Sequence, residues 1–125
     1  MRVTIIGCGA LGSLLAFKLV RAGVDVLVCQ RPGTQFDALK ADGITFLDRE
    51  GNTEKAKCPV VPSLYGLDSA DLVLVLVKAY QTEEAALKIK GHLSGNGIVL
   101  TLQNGLGNAE TLARELGEDY VAAGT

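Results

Sequence analysis

Apolar residues recur along this chain in two alternating ways: short unbroken runs, and longer segments in which they return every three or four positions. The first run, Val3, Ile5 and Ile6, leads into Gly7-Cys8-Gly9-Ala10-Leu11-Gly12. Leu11, Leu14, Leu15, Leu19 and Val20 then predict an amphipathic helix from Ala10 to Ala22 that packs on a sheet, with Gly23 as its stop. Asp25–Cys29 is nearly continuous in apolar residues, the pattern of a parallel strand buried on both faces. A weaker helical stretch, Phe36–Ala41, closes at Asp42-Gly43. Ile44–Val61 breaks the rhythm with a polar turn at Asp48–Asn52 and predicts a small antiparallel hairpin or edge extension. Leu72–Val77, LVLVLV, has no residue suited to a wet face and predicts a central strand. A helix over Thr82–Lys90, a strand over Gly97–Leu102, a helix over Asn108–Leu116 and a last strand at Tyr120–Ala123 complete the series.

Strands and helices that alternate in this way predict an α/β fold: a doubly wound, mostly parallel Rossmann sheet with helices on both faces, joined by right-handed crossovers. Ligands of such sheets bind outside the carboxyl ends of the strands, which brings Gly7–Gly12, Gln30-Arg31, Lys78 and Asn104 to one rim. The glycine spacing GxGxxG follows a strand and opens a helix, the context that a dinucleotide-binding loop requires. Gly7 permits the tight turn, Gly9 leaves room for a pyrophosphate, and Gly12 allows close helix packing. The loop, Gly7, Cys8, Gly9, Ala10, Leu11 and Gly12, would present backbone N–H groups and the positive end of a helix dipole to the anion.

Composition narrows the partners. At 125 residues and 48% hydrophobic, the chain suits one domain with a real core. A formal charge of −2 and a pI near 5.3 offer no footprint for nucleic acid or an anionic membrane. Bound phosphate must therefore be held locally. The three cysteines, Cys8, Cys29 and Cys58, form neither a disulfide framework nor a metal-ligand pattern, so no metal is expected and a reducing setting is. No leader is visible and no apolar run reaches the roughly 18 residues of a membrane span, so the expected location is the cytoplasm.

Arg31 bears on the choice of dinucleotide. An NAD site of this kind places Asp or Glu about 20 residues beyond the loop, where it accepts from the ribose 2′-hydroxyl. Here Gln30 and Arg31 stand there, with no carboxylate from Val26 through Gly33, and a guanidinium can pair bidentately with a 2′-phosphate. The expected cofactor is NADP(H), unless Arg31 is a solvated loop residue. Lys78 is either a strand-terminal lysine in water or a ligand contact, and Asn104, before Gly105, either a turn residue or a ligand contact; spacing leaves both open. His92 reads as a surface or capping residue far from the rim. Cys8 matters through its backbone N–H rather than its thiol, and no pair of carboxylates suggests acid–base work.

The segments MRVTIIGCGALGS, LVLVLVKAYQT and LTLQNGLGNAE, in this order and spacing, resemble the N-terminal domain of the ketopantoate reductase (2-dehydropantoate 2-reductase) family over essentially all 125 residues. The resemblance implies NADPH-dependent reduction of ketopantoate to pantoate, on the route to pantothenate and coenzyme A. It implies that Gly7–Gly12 hold the pyrophosphate, that Arg31 meets the 2′-phosphate, that Lys78 contacts the cofactor, and that Asn104 sits where nicotinamide ribose and substrate meet. It also implies a second, helical domain that carries the general-acid lysine and most contacts to the 2-oxoacid substrate, to which nothing here corresponds. The chain, residues 1–125, is thus expected to be an NADP-binding Rossmann domain without catalytic residues of its own, a fragment that binds NADP(H) but is silent alone. A domain without its partner could also self-associate through an exposed apolar patch. Two alternatives stand beside this: a free-standing nucleotide-binding regulatory module, and the cofactor domain of another two-domain dehydrogenase of the same superfamily.

Overall fold

The computed structural model describes residues 1–103 and 107–123. Strand β1 (Arg2–Ile6), helix α1 (Ala10–Arg21), strand β2 (Asp25–Cys29) and helix α2 (Thr34–Asp42) come first. Strands β3 (Ile44–Leu47), β4 (Thr53–Ala56) and β5 (Val60–Val61) follow, then β6 (Ala70–Val75), α3 (Thr82–Ile89), β7 (Leu93–Thr101), α4 (Asn108–Leu116) and β8 (Val121–Ala123). Six strands form one parallel sheet in the order β5-β2-β1-β6-β7-β8, while β3 and β4 pair antiparallel by themselves. This is a doubly wound Rossmann-like sheet whose strand order reverses direction between β1 and β6.

The period-2 geometry of a strand explains the run LVLVLV. Leu72, Leu74 and Leu76 face one layer with Val3, Ile5, Val26 and Val28, while Val73, Val75 and Val77 face the other with Ile6 and Cys29. The first layer is covered by α1, α2 and the hairpin; the second by α3 and α4, through Ala85, Ala86, Ile89 and Leu112. Ile5, Val28 and Val73 are fully buried, each worth roughly 1.5–3 kcal/mol relative to exposure.

Several boundaries and faces differ from the sequence expectation. β6 ends at Val75, two residues early, because its partner β1 ends at Ile6 and the last bond, Leu76 N–H to Ile6 carbonyl, exhausts the ladder. β7 begins at Leu93, since Ala70 pairs with Leu93 but Leu72 with Ile98, so the glycine-rich stretch between them bulges within one strand. Ile44–Val61 divides: the hairpin stands off the main sheet against α1, with Phe46 stacked on Phe17 at 4.9 Å, and Val60–Val61 joins the sheet edge beside β2. On α1, Gly12, Ala16 and Phe17 are buried, whereas Leu11 and Leu14 are exposed. Small residues at the contact let the helix lie close, and the predicted leucine stripe is displaced around it.

His92 is not a surface residue. It is buried at the start of β7, with its Nε2 2.9 Å from Thr4 Oγ1 and its backbone bonded to Ile89 and Ala70. A helix end followed by Gly91 suggested exposure, but Ala70 N–H binds the His92 carbonyl and holds the residue at the start of β6, where its ring reaches Thr4 of β1. It does lie at the amino end of the strands, away from the loop rim.

Candidate functional site

The carboxyl ends of β1, β2 and β6 open onto a cleft of about 580 Å³, lined by Gly7–Gly12, Arg31 and Lys78 together with Gln35, Gln81, Glu84, Lys88 and Gln103. Three of the four predicted loops therefore meet in one place. Asn104 lies outside the described residues, although Leu102 and Gln103 before it reach the cleft wall.

Each glycine of the loop meets a different constraint. Gly7 has φ +91°, a conformation that L side chains rarely adopt, and a Cβ there would come within 2.9 Å of Val77 Cγ1. A Cβ on Gly12 would overlap the Gly7 carbonyl oxygen, so Gly12 serves the loop's own closure as much as contact with the sheet. A Cβ on Gly9 would meet nothing within 4 Å; the space above it is open cleft. Gly9 is also the N-cap of α1, and no side chain caps the helix and no acidic residue stands in its first turn. A helix start leaves its first N–H groups without intrahelical acceptors, so those of Ala10, Leu11 and Gly12 face the opening with the positive end of the dipole behind them. This arrangement suits a phosphate.

Cys8 contributes less than its place in the motif suggests. Its N–H is taken by Gln30 Oε1 at 2.8 Å, and its carbonyl accepts from Gln35 Nε2. Its Sγ lies 3.3 Å from Ser13 Oγ. Burial pushes the Cys8 thiol up, with Ser13 opposing, so it stays protonated near neutrality. Burial likewise pushes Cys58 up to about 11, with Cys8 adding to the rise.

The charged groups of the cleft are not all free. Arg31 Nη2 donates to Glu84 Oε2 at 2.7 Å, from the loop after β2 to the first turn of α3, and Lys88 Nζ lies 3.8 Å from Glu84 Oε1. Lys78 is exposed beside the opening, its N–H bonded to Gln81 Oε1 at 3.1 Å. Gln103 ties the two loops beyond β6 and β7 together. Its Nε2 donates to the Val77 carbonyl at 2.7 Å and to Thr82 Oγ1 at 2.9 Å, its Oε1 accepts from Thr101, and Thr82 passes its own proton to Asn108 Oδ1. Such a satisfied network fixes the end of β7 against the Lys78 loop.

Sequence reasoning did not single out Glu84, Gln35, Lys88 or Gln103. A signal existed for Glu84 and Lys88: the helix after a parallel strand starts at the carboxyl rim, so the residues of its first turns face the same cleft as the loops. Nothing in residue type marked Gln35 or Gln103, whose roles depend on which carbonyl each one reaches. Among the described residues no group of three His, Cys, Asp or Glu could hold a metal, and no helix is long and apolar enough to cross a membrane.

The comparisons with known proteins agree with this architecture. The chain is 36% identical to a 2-dehydropantoate 2-reductase of Halobacterium salinarum over 100% of its own length and 41% of the relative's. It is 41% identical to the enzyme of that name from Archaeoglobus fulgidus over 90% of the chain and 35% of the relative. The structure superposes on a PanE/ApbA family ketopantoate reductase of Ralstonia eutropha with a TM-score of 0.85 and 39% identity, covering 98% of this chain and 40% of that one. D-mandelate dehydrogenase in complex with NADH and anilino(oxo)acetate superposes with a TM-score of 0.88 at 27% identity, over 99% and 40% of the two chains. The chain thus spans about 40% of the length of these relatives, their N-terminal part. A family model described as ketopantoate reductase PanE/ApbA matches residues 3–125, and the chain belongs to that family of oxidoreductases.

Proposed function

We propose that residues 1–125 form the NADP(H)-binding part of a reductase that converts a 2-oxoacid, 2-dehydropantoate, to its 2-hydroxyacid, pantoate, in the synthesis of pantothenate and coenzyme A. One observation carries the reading: an uncapped helix N-terminus over an open Gly9 and the guanidinium of Arg31 share one cleft. Those groups fit a dinucleotide with a pyrophosphate and a 2′-phosphate. The N–H groups following Gly9 would hold the first and Arg31 the second. Gln30, which occupies the position of the acidic residue in NAD sites, is turned inward to Cys8, and this supports Arg31 rather than Gln30 as the residue that would meet the ribose end. Lys78 would steady the cofactor from the far wall, and Asn104, by the family resemblance, would stand where nicotinamide ribose and substrate meet.

When bound, the dinucleotide would supply a hydride for carbonyl reduction, and the loop Gly7–Gly12 with Arg31 and Lys78 would hold it. The general-acid lysine that protonates the resulting alkoxide belongs, in this reading, to the part of the longer relatives that this chain does not span. Within the chain, Gln103 and Thr82 hold the Lys78 loop in place, and the apolar floor of Ile6, Leu76 and Val77 keeps water from beneath the cleft. The cytoplasm is the expected compartment for such an enzyme.

The binding test is a fluorescence titration of NADPH and NADH into the chain and into Arg31→Ala. Loss of a paired 2′-phosphate should weaken NADPH by more than about tenfold, while NADH changes by less than about twofold. Equal losses would remove the NADP(H) assignment. In the same preparation, NADPH with ketopantoate should give no oxidation above buffer, and robust turnover would show that these residues complete the reaction alone.

A further inference from the structure

Glu84 is the one carboxylate among the described residues lining the cleft. Its bond to Arg31 joins residues 53 positions apart and links the loop after β2 to the helix after β6. Both side chains are about half exposed, at 54% and 50%, so solvent and an incoming ligand reach them. An acid in the first turn of a helix is favourable to its dipole, but Glu83 already supplies one, and that role does not direct Glu84 Oε2 to a guanidinium on the other wall.

We propose that Glu84 is a place-holding anion: its ion pair with Arg31 competes with an incoming 2′-phosphate and so sets how strongly the site prefers NADPH to NADH. The inference rests on the reading of Arg31 as the 2′-phosphate ligand. Glu84 holds Arg31 through Nη2 alone, and a 2′-phosphate that pairs bidentately with the guanidinium through Nη2 competes for that donor. A 2′-phosphate must draw Arg31 away from Glu84, whereas a 2′-hydroxyl need not. Lys88, 3.8 Å from the other carboxylate oxygen, remains with Glu84 when Arg31 leaves, so the carboxylate is not stranded. Competition from a half-exposed pair is worth about two- to fivefold in affinity.

The test is a titration of NADPH and NADH into the chain, Glu84→Gln, Glu83→Gln, Arg31→Ala and the double variant Arg31→Ala/Glu84→Gln. Glu84→Gln should tighten NADPH about two- to fivefold at low ionic strength, with the gain shrinking at high salt, and leave NADH unchanged. Glu83→Gln should change neither, and Glu84→Gln should gain nothing once Arg31 is absent. An unchanged or weakened NADPH affinity in Glu84→Gln, an equal gain from Glu83→Gln, or a full gain persisting without Arg31 would overturn the proposal. Arg31→Ala separates the two levels. A selective NADPH loss there beside an unchanged Glu84→Gln removes only the role of Glu84, while equal losses of both dinucleotides remove the Arg31 assignment and this inference with it.

Discussion

The two ends of the parallel sheet both carry paired polar residues, and they differ in what is left open between them. At the amino end, Arg2 Nε meets Asp25 at 3.1 Å in the first register pair of β1 and β2, and Arg2 Nη1 lies 3.5 Å from Asp68. The Arg2 backbone N–H binds Asp71 at 2.8 Å, Ser94 donates to the other Asp71 oxygen, and beneath them Thr4 Oγ1 meets His92 Nε2 while His92 Nδ1 is buried without a partner among the described residues. At the carboxyl end, α1 starts uncapped above an open glycine, and Arg31 is held by a single half-exposed carboxylate. Parallel strands send every βα loop to one end, so ligand-facing groups collect there, and the other end has only itself to satisfy. The Gln103 network closes part of the carboxyl end as well, and what stays open there is the start of α1 above Gly9, which points to where a ligand enters.

The sharpest way to break this contrast is Gly9→Asp. Aspartate is a preferred N-cap and complements the helix dipole, so stability should hold or rise by about 0.5–1 kcal/mol. The same carboxylate fills the open space and repels a pyrophosphate, and NADPH affinity should fall by more than about a hundredfold. A folded Gly9→Asp chain that still binds NADPH normally would refute the loop's role; thermal melts beside titrations decide it.

At the amino end the order of effects should reverse. His92→Ala removes a buried ring and leaves the Thr4 hydroxyl without its partner, which should cost about 1–3 kcal/mol of stability while dinucleotide affinity stays within error. Burial, with Arg2 nearby adding to it, lowers the His92 pKa from 6.5, so the native state keeps it neutral. The unfolded chain then binds the extra proton as pH falls below about 6.5, and stability, complete above that value, declines on acidification toward the lowered native pKa. Denaturant midpoints measured from pH 7.5 to 5 should show this decline, and His92→Gln should flatten it. An unchanged slope would place the titrating group elsewhere.

The smallest effect belongs to the exposed pairs. Asp25→Ala should cost no more than about 1 kcal/mol, shrink further in high salt, and leave NADPH binding untouched. A binding defect there would contradict the division between the two ends.

The elements of the Rossmann-like sheet were legible because each is written in a local period. Runs such as Val3–Ile6 and LVLVLV, short and rich in β-branched residues, mark buried strands, and glycines such as Gly23 and Gly43 end helices at positions their neighbours announce. The glycine loop and Arg31 were legible for the same reason, since topology alone brings the carboxyl ends of parallel strands together. What stayed hidden depends on contacts between distant segments. The displaced stripe of α1 follows from how near Gly12 and Ala16 let it approach the sheet. The burial of His92 follows from a bond to Ala70, and the splitting of Ile44–Val61 from whether Val60 finds β2 or the hairpin. The ion pair of Arg31 with Glu84 joins a loop and a helix that the sequence separates by 53 residues. Hydrophobic period and glycine spacing are local, so the order of residues already holds the elements, their succession, the rim and the loop that faces it. Which polar groups at that rim are open and which are already taken is settled across the fold, by hydrogen bonds and charges that meet only once distant segments pack together.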